Sequence, residues 1–174
     1  MSIALNETSK ADVLKADTSG AQNEINFLNN SAVVWAPDTN QKPPNEFGYN
    51  LVSWPGASLA AMDGAATCIV QDVASKLGAG GTGDENYFFF CWNDGTYRFG
   101  VKINVNLQLF GMGDRPSWQV MWDQNLNSPD ITWQSNGDDP ADQFSWPSSL
   151  GYGVVATPTS NHQSLSIKVM ITNS

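Results

Sequence analysis

Apolar residues occupy every second position from Tyr97 to Leu109. Tyr97, Phe99, Val101, Ile103, Val105, Leu107 and Leu109 share one face, and Arg98, Gly100, Lys102, Asn104, Asn106 and Gln108 the other. A two-residue period turns successive side chains to opposite sides of a strand, so one face is buried and the other wetted. That habit belongs to antiparallel sheets, not to the doubly buried parallel strands of α/β proteins. The stretch Ser164 to Thr172 repeats it through Leu165, Ile167, Val169 and Ile171. Shorter patterns predict strands over Glu24 to Leu28, Ala32 to Trp35, Tyr49 to Trp54, Ala66 to Val73, Tyr87 to Trp92, Tyr97 to Phe110, Ser117 to Trp122 and Gly151 to Thr157. Asn29-Asn30-Ser31, Pro43-Pro44-Asn45 and Asn93-Asp94-Gly95 supply turn chemistry between them, the last being a hairpin signal. The pattern predicts an all-β fold, an antiparallel β-sandwich or barrel, with one or two short peripheral helices. Residues 1 to 24 differ: they are polar and alanine-rich, with Ile3, Leu5, Val13 and Leu14 as scattered apolar positions and Gly20 as a breaker. They are expected to form a weak amphipathic helix or a loose arm ahead of one domain over residues 25 to 174.

Composition narrows the function classes. A chain of 174 residues suits one domain with a proper core. Eight Lys and Arg stand against 17 Asp and Glu, a formal charge of −9, with no basic stripe of the kind phosphate neutralisation needs. Nucleic acid is therefore not an expected partner, and docking onto anionic lipid is disfavoured, whereas zwitterionic lipid and neutral sugar stay open. No apolar run approaches the roughly 20 residues of a membrane span, and Met1 to Thr8 has neither the basic nor the apolar region of a secretory signal. The expectation is a soluble protein acting at target membranes, made without that signal or trimmed of it. Cys68 and Cys91 would approach each other if Ala66 to Val73 and Tyr87 to Trp92 were the two arms of a hairpin. Adjacent strands rarely suit a disulfide, so buried thiols are favoured over a bridge. Two cysteines and one distant histidine make no metal spacing, and no metal or cofactor is expected.

Catalytic chemistry finds little support. His162 is the sole histidine, in the polar turn Ser160-Asn161-His162-Gln163, and no nucleophile-elbow pattern accompanies it. Asp138, Asp139 and Asp142 resemble a solvated loop, and Gly78-Ala79-Gly80-Gly81 lacks the lysine ending of a phosphate cradle. The chain is not expected to be an enzyme. Tryptophan is the stronger signal. Seven occur, at 35, 54, 92, 118, 122, 133 and 146, several beside turn formers, as in Trp54-Pro55 and Trp146-Pro147. Trp35 and Trp133 are expected to cap the ends of the core. Trp118 and Trp122, four residues apart, share a face and could flank a ligand. Indole faces attract a choline headgroup by cation–π forces or stack on the C–H face of a sugar, and the residues alone do not separate these.

Leu150-Gly151-Tyr152-Gly153, followed by a polar turn and His162-Gln163-Ser164-Leu165-Ser166-Ile167-Lys168-Val169, resembles the C-terminal end of the actinoporins, sphingomyelin-binding cytolysins with a β-sandwich fold. Asn29-Asn30-Ser31 with Trp35 is similar to their early strand-turn-strand, Trp118 to Asp123 lies where that family has its tyrosine-rich headgroup segment, and Trp92 to Ile103 where it has an aromatic loop feeding a strand. The resemblance spans Glu24 to Ser174 and implies a phosphocholine-binding site of Ser53, Trp54, Trp92, Trp118 and Trp122. It also implies sphingomyelin as partner, with cholesterol as a further one, and oligomeric pore formation on membranes through residues 1 to 24. The acidic charge, the weak amphipathicity of that arm and Gly113-Asp114-Arg115-Pro116 in the region of the family's Arg-Gly-Asp are departures, and they leave binding without efficient pore formation open. The alternative is a carbohydrate-binding lectin of the fungal fruit-body type, which shares the sandwich. A structural or storage protein whose tryptophans are all core is the third reading.

Overall fold

Between Gln22 and Asn29 every second side chain, Asn23, Ile25, Phe27 and Asn29, is buried, while Glu24, Asn26 and Leu28 stay half exposed. The alternation makes this segment a strand with one face on the core. It is β1 of a computed structural model that describes residues 22–43, 49–72, 87–104, 117–135, 143–160 and 164–174. The remaining strands are β2 (Ala36–Pro37), β3 (Tyr49–Ser53), β4 (Gly64–Asp72), β5 (Tyr87–Asn93), β6 (Tyr97–Asn104), β7 (Ser117–Asn125), β8 (Gln134–Ser135), β9 (Phe144–Pro147), β10 (Tyr152–Ser160) and β11 (Leu165–Asn173). No helix occurs among the described residues, and two sheets make an all-β sandwich. One runs β3-β4-β1-β11-β10-β9 and the other β2-β5-β6-β7-β8. Pairing is antiparallel except between β1 and β11, which run parallel with Ile25 opposite Ile167 and Phe27 opposite Val169.

The inner faces interdigitate. Ile25, Phe27, Val70, Val154, Ala156, Ile167, Val169 and Ile171 from the larger sheet meet Phe88, Phe90, Trp92, Phe99, Val101, Ile103, Trp118 and Val120 from the smaller. Phe27 reaches across to the rings of Trp92 at 5.5 Å, Phe90 at 6.1 Å and Phe99 at 6.4 Å. Each fully buried side chain of this size stabilises by about 1.5–3 kcal/mol, so these contacts dominate cohesion between the sheets. Trp35 closes one end as expected, its ring 4.8 Å from both Phe99 and Tyr152, with Nε1 donating to Ser31 Oγ at 3.3 Å.

Turn chemistry follows the residues. Asn29 Oδ1 accepts from the Ser31 amide and hydroxyl, and Asp94 Oδ1 accepts from the amides of Thr96 and Tyr97 while Gly95 takes φ 96° in the β5–β6 hairpin. Four expectations are corrected. Ala32 to Trp35 is a turn ending in an isolated bridge from Trp35 to Leu59, and the short strand begins after it. Gln22 to Glu24 belongs to β1 and not to a separate arm, because it pairs with β4; residues 1–21 lie outside the described residues. Cys68 and Cys91 are not on hairpin arms: β4 pairs with β3 and β1, β5 with β2 and β6, and both thiols are free and buried. The even-numbered face of β6 is not wholly wet either. Arg98 and Gly100 are buried because Asp38 and the segment after β7 close over them, Arg98 Nε standing 3.3 Å from Asp38 Oδ2 and Nη2 donating to Leu126 O at 2.6 Å. The continuation of that pattern over residues 105–110, together with His162, Asp138, Asp139, Asp142 and the glycines at 78–81, lies outside the described residues.

Candidate functional site

The five residues proposed for a headgroup site do not meet. Trp92 is fully buried, its ring 4.8 Å from Phe90, and Trp118 is 3% exposed within the same core. Both correct the expectation: alternation along β5 and β7 turns them inward between the sheets, where neither offers a ring face to a ligand. Ser53 and Trp54 stand at the end of β3, one edge of the larger sheet. Ser53 Oγ donates to Thr67 O at 3.0 Å, and Trp54 lies half buried on Phe90 with Nε1 donating to Gln41 Oε1 at 2.5 Å. Trp122 instead contacts β9, the opposite edge of that sheet, five strand spacings or roughly 24 Å away.

Around Trp122 an aromatic group does form. Its ring lies 5.6 Å from Trp146, inclined by 27°, and 5.3 Å from Phe144; Phe144 and Trp146 are 5.1 Å apart. Trp146 is sealed, and its Nε1 has no hydrogen-bond partner, whereas Trp122 and Phe144 keep part of their rings in solvent. The three close the gap between β7 of one sheet and the edge strand of the other. A break in the β6–β7 register, between Arg98 and Gly100 on one strand and Gln124 and Met121 on the other, inserts an extra residue in β7 just past Trp122. Such bulges re-aim side chains. Here Asp123 takes φ 52°, a left-handed conformation that Asp tolerates better than most residues.

The re-aimed carboxylate ties the region together. Asp123 Oδ1 accepts from Ser148 Oγ at 2.7 Å and from Tyr152 Oη at 2.8 Å, and Ser148 Oγ in turn accepts the Leu150 amide at 3.0 Å. The clasp joins the β7 bulge to the β9–β10 turn and so sets Trp122 against Trp146. Burial, followed by the Asp123 hydrogen bond, drives the Tyr152 hydroxyl well above the usual tyrosine range, which keeps it a donor at all ordinary pH. Trp122 and Phe144 are half exposed, as is Asp123, the next residue along β7, and aromatic faces and a carboxylate are the groups that attract an organic cation.

Three of the five exposed large hydrophobic residues among the described ones stand at the same end of the sandwich, the other two, Leu51 and Val52, being on β3. Val34, Met62 and Leu150 are 57%, 64% and 39% exposed. Their turns are bound to one another: the Met62 amide donates to Ser31 O, Asn29 Nδ2 donates to both Val33 O and Ala60 O, Ala32 N to Asn173 Oδ1, and Ser174 N to Gly151 O. Trp133, by contrast, is no core cap. It lies on the outer face of the smaller sheet, 5.2 Å from Phe89 and 6.0 Å from the Lys102 ammonium. Phe144, Trp146, Asp123 and Ser148 are the members that sequence reasoning left out. The Trp146-Pro147 pair and the position of Asp123 directly after Trp122 were the available signals.

Two-sheet, all-β architecture with mixed pairing is thus the class that the strands define. No family model and no curated protein matches the sequence. Among solved structures the fold is similar to that of the lipid binding protein Nakanori, with a TM-score of 0.51 and 6% sequence identity, over 95% of this chain and 77% of that one. At that identity the likeness speaks for the fold.

Proposed function

We propose that the protein binds lipid at a membrane surface and recognises a choline headgroup, with sphingomyelin as the favoured lipid, through the exposed faces of Trp122 and Phe144 beside Asp123. The feature that supports this reading is the β7 bulge, at which half-exposed Asp123 follows half-exposed Trp122 and is tied to Ser148 and Tyr152 at the β9–β10 turn. A quaternary ammonium is drawn to an indole face by about 0.5–2 kcal/mol, and an adjacent carboxylate adds charge complementarity. Val34, Met62 and Leu150 at the same end supply apolar side chains for the interface, and the description of Nakanori as a lipid binding protein agrees with such a use of the fold. Pore formation through residues 1 to 21 is the further, separable part of the proposal.

Sedimentation with phosphatidylcholine vesicles, with and without sphingomyelin, tests the headgroup site. Asp123→Asn is the informative variant, because asparagine accepts the φ of this position and can still accept the Ser148 and Tyr152 hydrogen bonds, so it removes charge and little else. Loss of one ring in Trp122→Ala is expected to weaken binding by up to about 30-fold. Undiminished binding by both variants, with unchanged circular dichroism, would remove the site from consideration. Dye release before and after deletion of residues 1–21, which leaves β1 whole, tests the pore; unchanged release would exclude the arm.

A further inference from the structure

On the outer face of the smaller sheet, two lysines crowd one tyrosine. Lys42 Nζ stands 4.0 Å and Lys102 Nζ 4.2 Å from the centroid of the Tyr87 ring. Strand register brings them there: Lys42 bridges to Phe89, and Phe89 is opposite Lys102 in the β5–β6 pair. Tyr87 and Phe89 lie within 13° of parallel at 6.3 Å, and Trp133 adds a third ring 5.2 Å from Phe89. All five side chains are half exposed. The chain has 17 acidic residues for eight basic ones, yet no carboxylate among the described residues lies within ion-pair distance of either ammonium; the one ion pair there is Arg98 with Asp38. Partial burial and the neighbouring Lys42 charge pull the Lys102 ammonium below the usual lysine range. The two lysines flank β5 from opposite sides, and an anion near either ammonium would offset that repulsion.

We propose that Lys42, Tyr87, Phe89, Lys102 and Trp133 form a second binding site, for a saccharide bearing a single carboxylate or sulfate. One ammonium would hold the acid group by charge-assisted hydrogen bonds while the other adds charge complementarity, and the rings of Phe89 and Trp133 would take the apolar face of the sugar. A net charge of −9 opposes a polyanion such as nucleic acid or an anionic bilayer, whereas a singly charged sugar meets only the local field of two cations. The site is independent of the choline reading. Lys102 is opposite Gln119, about four residues or roughly 13 Å along β7 from Asp123, and it points away from the interior that Trp122 faces.

Titration calorimetry of the full chain tests this with glucuronic acid and glucose 6-sulfate as probes, against glucose, acetate and inorganic sulfate at matched ionic strength. Both acidic sugars are expected to bind at least about tenfold more tightly than glucose or either free anion, and Lys42→Met with Lys102→Met, or Trp133→Ala, is expected to remove that margin. Asp123→Asn is expected to leave it unchanged while weakening choline vesicles, so the two sites fail separately. Absence of binding by both acidic sugars overturns the proposal, as does equal binding of glucose or of the free anions, or retention of the margin in the folded lysine variants.

Discussion

A Cβ at position 100 would stand 2.6 Å from Cys91 Sγ and 2.9 Å from Phe90 O, both closer than real side-chain contacts allow. Glycine is required there because β5 and β6 are tightly paired, Cys91 opposite Gly100, beneath a covered outer face. Gly100→Ala is therefore expected to lower stability by about 1–3 kcal/mol, read from the urea midpoint, since a rigid strand must move apart. Adding Cys91→Ala should recover only part of the loss, because it removes the sulfur but not the Phe90 carbonyl. Arg98 and Asp38 nearby pose a sharper case, both nearly sealed from water at 3% and 2% side-chain exposure. Asp38→Ala leaves a buried guanidinium without its counter-charge and is expected to cost about 3–5 kcal/mol, whereas Asp38→Asn, which keeps an acceptor, should cost less. Equal midpoints for wild type and Asp38→Ala would show that Leu126 O alone satisfies the arginine.

Strands tie titration to stability. Burial raises the Cys68 thiol on β4 and the Cys91 thiol on β5 above their ordinary value of 9.0, and burial with the Asp123 hydrogen bond raises the Tyr152 hydroxyl on β10 above 10.0. In each the folded chain holds the proton more tightly than the unfolded chain does. The stabilisation is complete below the unfolded value and is lost as pH rises past it. The denaturation midpoint is thus expected to fall above pH 9 and more steeply above pH 10, with Cys68→Ala and Cys91→Ala flattening the first limb and Tyr152→Phe the second. The two-residue period made β1, β4 to β7, β10 and β11 legible, because burial of one face is a local property of the chain, whereas β3 was read from its residue types and exposes Asn50, Leu51 and Val52 in succession. Three things were not legible. β2, β8 and β9 are only two, two and four residues long, too short to show a period. The Trp122, Phe144 and Trp146 group depends on which strand ends at the sheet edge, a matter of topology. The covered face of β6 depends on Asp38 and Leu126, distant in sequence, which hid a buried arginine in an ostensibly wet position.

At the scale of the molecule, charge and shape oppose each other at the loop-bearing end. Val34, Met62 and Leu150 offer apolar surface to an interface, while Asp63 and the hairpin-tip Asp94 are exposed at the same end of a chain carrying −9 overall. Apolar insertion does not distinguish lipids, whereas the acids repel an anionic leaflet and tolerate a zwitterionic one. The balance predicts selection by charge before any headgroup contact is made: attachment to phosphatidylcholine vesicles with little salt dependence, and exclusion from phosphatidylserine vesicles that eases as salt screens the repulsion. Reversing Asp63 with Asp63→Lys and neutralising Asp94 with Asp94→Asn, which keeps the acceptor for the Thr96 and Tyr97 amides, should then recruit the protein to phosphatidylserine, the lysine contributing about 1 kcal/mol near such a surface, or roughly fivefold in partitioning. Binding to phosphatidylcholine should stay as it was, because neither aspartate belongs to the Trp122, Phe144 and Asp123 group. Vesicle flotation over a salt series checks both arms. A double variant that still ignores phosphatidylserine at low salt would mean that this end does not face the bilayer.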